Sequence, residues 1–247
     1  MTNEPYYMAY EKRYKAAYDA GANLWGHKPD DEVLVAALTD WVAKNNLQGK
    51  HVVEFACGEG SVGIILSRLG CIYQGFDISP LAVARSGQAL ADYPTASVAV
   101  LDMVNQCPTG VYDAALDVMG LHMLVVDADR EKYLANMRSA LKPGAPALFF
   151  REAYRTNAYS GAVSSFEEWL AISKDDYETP SPRTVVNDGV EYTVNIPLVP
   201  ARGKNKADYI GEMTAAGFVV DDFIEMVESQ NIVYSASIYV HKSYTIQ

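Results

Sequence analysis

The stretch VVEFACGEGSVG, Val52 to Gly63, decides the fold. An apolar run that suits a buried strand passes into a glycine-rich turn, and a helical pattern follows. Gly58, Gly60 and Gly63 match the GxGxxG spacing of a dinucleotide-binding loop, and Asp77 stands about 20 residues further on, where that fingerprint places a ribose-binding acid. Glycine suits such a loop because the backbone must turn tightly and admit a ligand where a Cβ would stand. Taken alone, the loop fits a nicotinamide dinucleotide.

Outward from the loop, short apolar runs alternate with helical patterns. That is the signature of repeated strand-helix-strand units, hence of a mostly parallel sheet with helices on both faces. Seven strands are expected, at 51–56, 71–77, 97–102, 111–117, 145–150, 218–226 and 232–240. Ser79 followed by Pro80 opens a helix, because serine caps free first-turn amides and proline fits the first helical position. A helix over 128–141 stops at Lys142-Pro143-Gly144, and one over 209–216 stops at Gly217. The expected fold class is α/β, a doubly wound seven-stranded sheet. Residues 152–201, between the fifth and sixth strands, lack the alternation and are too long for a plain connection, so an inserted cap is expected there. Within it EYTVNIPLVP, 191–200, reads as an extended edge element whose prolines resist central pairing. The chain is expected to form one domain over 1–247: a helical lid at 1–50, a core at 51–151, the cap at 152–201 and the end of the core at 202–247.

In the first 50 residues Tyr7, Tyr10, Tyr14 and Tyr18 recur at spacings of three and four, which places them on one helical face. Such a stripe packs on the core or, alternatively, roofs a cationic ligand that the ring faces attract.

A net charge of -11 argues against a nucleic-acid partner, whose affinity rests on lysines and arginines neutralising phosphates. No apolar run approaches the roughly 20 residues of a membrane span. Cys57, Cys71 and Cys107 cannot all pair and show no metal-ligand spacing. Reduced thiols, no metal, a cytoplasmic location and a monomer or homodimer are expected.

The residues around the glycines carry a further likeness. EFACGEG, Glu54 to Gly60, resembles the ExGxGxG motif of class I S-adenosylmethionine-dependent methyltransferases, with Ala56 in place of the first glycine. GFDISPLAVARS at 75–86 resembles their second motif, LDM at 101–103 the third, and VYDAALDVMGLHML at 111–124 the fourth. ALKPGAPALFF at 140–150 resembles the segment leading into their fifth strand. Five motifs in order are far more specific than one glycine loop. The likeness covers about residues 50 to 150 well and the last two strands more loosely; it implies that the last strand runs antiparallel.

The resemblance implies S-adenosyl-L-methionine as cofactor and S-adenosyl-L-homocysteine as product. Glu54 is expected to orient the loop and the cofactor's amino group, with the backbone of Ala56, Gly58 and Gly60 facing its methionine part. Asp77, followed by Ile78, is expected to take both ribose hydroxyls, since a carboxylate accepts two charge-assisted hydrogen bonds from a diol. Asp102 and Met103 are expected at the adenine, and Asp117 to Met119 at the transfer site. Asp77 and Asp102 also suit plain use as turn residues.

Methyl transfer is an in-line displacement on a sulfonium, so alignment and exclusion of water matter most and a base is optional. His122, just past the fourth strand, is the candidate for an acceptor's proton, although a lone histidine is more often structural. Tyr14, Trp25, Met119, Arg151 and Tyr154 are candidates for binding the acceptor, with a mutual Arg151–Glu152 ion pair as the plainer use of that arginine. Asp117-Val118-Met119-Gly120 is not the (N/D)PP(Y/F) motif of the enzymes that methylate amino groups of adenine, cytosine and glutamine. Cys107-Pro108 follows the third strand, not the fourth as in the RNA 5-methylcytosine enzymes. YEKRYKAAYDAGANLWG at 10–26 is similar to the aromatic, arginine-bearing start of methyltransferases acting on thiols, halides or amines. The expected partner is a small molecule methylated on N, O or S, with neither nucleic acid nor membrane involved. The alternatives are an NAD(P)-dependent oxidoreductase and a catalytically silent S-adenosylmethionine-binding protein.

Overall fold

The computed structural model describes residues 4–187, 189–228 and 233–244. The chain opens with a 3-10 turn (Tyr6–Met8), α1 (Ala9–Asp19) and α2 (Glu32–Lys44), then β1 (His51–Phe55), α3 (Ser61–Arg68), β2 (Ile72–Asp77), α4 (Pro80–Ala89) and β3 (Ala96–Val100). Next come β4 (Ala114–Val118), a 3-10 turn (Leu121–Met123), α5 (Asp127–Ala140), β5 (Pro146–Ala153) and α6 (Phe166–Ser173). The hairpin β6 (Ser181–Asn187) and β7 (Val190–Ile196) precedes α7 (Lys206–Ala215), β8 (Phe218–Glu228) and β9 (Val233–Lys242).

The main sheet has seven strands in the order β3-β2-β1-β4-β5-β9-β8. The first five pair in parallel, and β9 runs antiparallel to both neighbours. Side chains alternate between the faces of each strand, and the core divides accordingly. Val53, Phe55, Ala115 and Phe149 pack with Tyr133 and Met137 of α5 and Tyr209 of α7. Val52, Ala114, Leu116 and Leu148 pack on the other face with Leu34, Leu38 and Trp41 of α2 and Ile65 and Leu66 of α3. The chain leaves central β1 for β2 and β3 on one side, then crosses to β4 and β5 on the other. The reversal between β1 and β4 opens a crevice at the carboxyl ends of the strands.

All seven strands stand near their expected positions, with residue 232, the expected start of the last one, outside the described residues. Boundaries move where a local contact outweighs the apolar run: the fourth strand begins at Ala114 because Tyr112 instead bridges to Leu141. Ser79 caps α4 by accepting the Ala82 amide, with Pro80 in the first turn, as the sequence predicts. The segment expected as an edge element pairs with β6 in a separate two-stranded sheet and ends before Pro197. That hairpin packs on α1 through Val194, Ile196, Ala17 and Ala22.

Candidate active site

The glycine loop builds the floor of a cavity. Beyond β1 the backbone takes left-handed conformations at Ala56 (φ 56), Gly58 (φ 52) and Gly60 (φ 87), which folds the loop back before α3 begins. The amide of Gly58 donates to the Asp77 carboxylate at 2.8 Å, and that of Cys57 to the Phe76 carbonyl, tying the loop to the end of β2. A Cβ on Gly58 would stand 3.1 Å from the Tyr14 hydroxyl at a left-handed backbone position, so the first glycine of the GxGxxG spacing is favoured bare. Gly63 meets a different demand: its bare Cα admits the Tyr73 ring between α3 and the sheet.

The cavity is about 310 Å³ and opens at the carboxyl ends of β1, β2, β3 and β4. Glu54, Ala56 and Gly58 line it from β1 and its loop, Asp77 and Ile78 from β2, Asp102 and Met103 from the turn after β3, and Met119 from the turn after β4. Glu54 is buried and accepts the Tyr73 hydroxyl, and burial lifts its carboxyl well above the ordinary range. Asp77 is lifted by burial to about 6, against the backbone amides of Ser79 and Gly58 that favour its charged form. Each of its oxygens takes one amide, which leaves a further lone pair on each for a ligand. Asp102 organises its own turn, accepting the Val104 amide and the Asn105 side chain, with the Tyr7 hydroxyl at 3.3 Å.

The tyrosine stripe is divided between the two uses open to it in the sequence. Tyr10 and Tyr14 of α1 line the cavity, as does Tyr7, which belongs to the preceding 3-10 turn and is also part of the core. Tyr18 stacks on Tyr14 and donates to Glu59.

Five expected site residues are not among those that line the cavity: Gly60, which backs onto Ser86 of α4, and four others. His122 is buried behind the cavity walls, its amide and ring Nδ1 both on Glu152 at 2.7 and 2.9 Å. Asp117 is fully buried and turned inward, accepting the Gly120 amide and the Tyr133 hydroxyl, so of the expected trio only Val118 and Met119 reach the cavity. Tyr154 packs edge-on against Phe223 of β8. Arg151 sits at an irregularity in the β5–β9 pairing with φ 57, which turns consecutive side chains apart. Arg151 therefore bonds Asp31 at 2.8 Å and the His27 ring at 3.1 Å, Glu152 bonds His122, and the mutual Arg151–Glu152 pair, the plainer alternative in the sequence, does not form. Its contact with His27, a cavity residue, makes Arg151 a support to the wall.

Two unexpected residues are prominent. Glu59, inside the loop, accepts the amides of Trp25 and Gly26 and the Tyr18 hydroxyl, all within 3.0 Å, and so latches the α1–α2 connection over the start of α3. A carboxylate between two glycines was its only signal. His27 lines the cavity with Nε2 3.0 Å from the Met119 sulfur. An arginine only donates, so the Arg151 contact makes His27 Nδ1 the acceptor and leaves the neutral ring's proton on Nε2.

Residues 52–144 match the family model described as a methyltransferase domain. A search of curated proteins finds no match. Among solved structures, a magnesium protoporphyrin IX methyltransferase from Synechocystis with bound S-adenosylhomocysteine is 16% identical, with 97% of this chain and 100% of that chain covered and a TM-score of 0.65. The 1,6-didemethyltoxoflavin-N1-methyltransferase of Burkholderia thailandensis is 14% identical, with 96% and 89% covered and a TM-score of 0.64. A 4+2 cyclase is 13% identical, with 98% of both chains covered and a TM-score of 0.66. At such identities the likeness is one of fold.

Proposed function

From the premise that residues 52–144 form a methyltransferase domain of the class I fold, we propose that the chain is an S-adenosylmethionine-dependent methyltransferase acting on a small molecule. The observation that carries the reading is the cavity itself: one open-mouthed space lined by the loop, by Asp77 and Asp102, and by aromatic residues from the first 25 positions. When bound, S-adenosylmethionine supplies an electrophilic methyl group on a sulfonium.

The chain's residues divide the remaining work. Asp77 takes the ribose hydroxyls on its spare lone pairs. Glu54 receives the cofactor's amino group, a cation that suits a carboxylate enclosed with it. Asp102 and Met103 meet the adenine. Tyr7, Tyr10, Tyr14 and Trp25 exclude water and present ring faces to positive charge. His122 lies behind the cavity walls on Glu152, and His27 has Nδ1 on Arg151 and Nε2 on the Met119 sulfur, so we assign neither as a base. Alignment then supplies the rate, and a protic acceptor sheds its proton to bulk solvent before it enters or after the methylated product leaves.

The oxidoreductase alternative meets an obstacle in Glu59. A dinucleotide's pyrophosphate belongs at the start of the helix after the loop. Here the buried Glu59 carboxylate occupies that region, the 25–27 segment crosses it, and Ser61 donates to the His27 carbonyl. The 4+2 cyclase has the same fold under a different activity, so the fold alone does not separate an enzyme from a silent binder.

Calorimetry tests the cofactor: S-adenosylhomocysteine is expected to bind and NADH is not. Tight NADH binding without heat from S-adenosylhomocysteine would reverse the conclusion. Release of S-adenosylhomocysteine from the methyl donor with a panel of small amines, thiols and phenols then separates an enzyme from a silent binder.

A further inference from the structure

The cavity's acids are each engaged, and its arginine is not. Glu54 holds Tyr73, Glu59 holds two amides and a tyrosine, Asp77 holds Gly58 and Ser79, and Asp102 holds its own turn. Arg13, on α1, lines the same cavity and has no carboxylate within ion-pair distance among the described residues. Its Nε is buried without a hydrogen-bond partner. Its guanidinium lies 4.4 Å above the Trp25 ring. Stacking of this kind fixes the plane of the group and leaves its N–H donors pointing outward within that plane, the fork that matches a carboxylate edge.

A second cation acts on it through space. Burial lowers the Arg13 guanidinium below its ordinary value, Tyr10 opposes this, and the like charge of Arg183, on β6, adds a smaller lowering effect. Arg183 also has no acidic partner among the described residues. In a chain of net charge -11, a half-buried guanidinium with no carboxylate beside it among the described residues is a group that an anion would join. The second arginine comes from the cap hairpin, an element outside the glycine loop and the strand ends that hold the cofactor in the proposed reading. A monoanion fits better than a phosphate dianion, because four carboxylates share the walls.

We infer that the acceptor carries a carboxylate, bound by Arg13 of α1. The inference rests on the methyl-transfer reading of the cavity and narrows its acceptor to small carboxylic acids. Arg13 is a specificity residue here, and the group it binds is not the one that is methylated.

The experiment is a ligand-observed magnetic-resonance screen of the full chain saturated with S-adenosylhomocysteine, using small carboxylic acids paired with their primary amides. The acids are expected to bind at least tenfold more tightly than the matched amides. R13Q should abolish that preference and R13K should restore part of it, since lysine keeps the charge and loses the fork. R183Q, an exposed substitution compatible with folding, should weaken the acids about threefold. Equal binding of acids and amides, no binding of either, or a preference that survives R13Q overturns the inference. Calorimetry with S-adenosylhomocysteine and with 5′-methylthioadenosine, which lacks the amino-acid part, tests the other source of a carboxylate. If R13Q weakens the first and spares the second, Arg13 serves the cofactor and the inference about the acceptor falls. If the parent protein fails to bind S-adenosylhomocysteine, the methyl-transfer reading fails by itself, and the acid–amide comparison on the ligand-free chain still decides whether Arg13 binds carboxylates.

Discussion

At the scale of single residues, the site stores conformational cost where the ligand must come close. Ala56 holds a left-handed backbone that disfavours any side chain by about 1–2 kcal/mol. Ala56→Gly relieves that cost but gives the unfolded chain more freedom, so stability should change by less than about 1 kcal/mol. Ala56→Val adds branching at positive φ, beside Gly120 whose Cα already faces the Ala56 methyl, and should lose about 2–3 kcal/mol in denaturant unfolding. Asp77 makes the second prediction. Its folded value of about 6 lies above its unfolded value of 3.8, so the ionised form is the disfavoured one in the fold. Stability should fall by roughly 3 kcal/mol from this group as pH rises from about 4 through about 6, then level off. Ribose hydroxyls need the ionised form, so S-adenosylhomocysteine should bind more tightly as pH rises to about 6 and stay level above it. Asp77→Asn should flatten that dependence and weaken binding at neutral pH by about 1.5–3 kcal/mol. A pH-titrated calorimetric series on both proteins checks the sign and the size.

At the scale of elements, α1 is attached to the core by polar contacts as much as by packing. Glu11 reaches the start of α4 through Ser79, Arg85 stacks 4.4 Å over Tyr18, and Glu59 holds the segment that follows. These are few contacts for an element that roofs a cavity, and each involves a group with alternative partners in water. Glu59→Ala removes three hydrogen bonds to one carboxylate and should cost about 2–3 kcal/mol. Its clearest sign should be faster amide exchange at Trp25 and Gly26, with β1 to β5 unchanged. Removal of residues 1–20 is expected to abolish methyl transfer while the sheet still folds; a truncated protein transferring at the parent rate would return the tyrosines to plain packing.

At the scale of the whole molecule, a continuous chain of buried polar groups runs behind the site. Tyr133 reaches from the cavity wall to Asp117, whose carboxyl is held well above its ordinary range by burial and by the nearby charge of Glu152, and Glu152 reaches His122. Arg130, fully buried, takes both oxygens of Glu212 and ties α5 to α7. Such pairs specify one arrangement of the helices more than they add stability. The cavity lies between the sheet and the first 30 residues, so a ligand there couples both. At 100 times its dissociation constant, S-adenosylhomocysteine should add about 2.7 kcal/mol and raise the melting temperature by roughly 5–10 °C. Thermal unfolding should show this shift, with none from NADH.

The sequence by itself determined the sheet, its strand count and the loop that floors the cavity. Those features rest on local signals: apolar runs, a serine-proline helix start, and glycines where the backbone must turn left-handed. Glu54, Ala56, Gly58, Asp77, Ile78, Asp102, Met103, Tyr14, Trp25 and Met119 all line the cavity for that reason or by their place beside it. Tertiary structure alone decided which way His122, Asp117, Arg151 and Tyr154 face. A strand-end position gives the place of a Cα, whereas the direction of its side chain depends on a bulge in β5, on the turn after β4 and on partners distant in the chain. The same holds for Glu59 and His27: their roles arise where the 25–27 segment meets the glycine loop, a contact between residues tens of positions apart that no local pattern encodes.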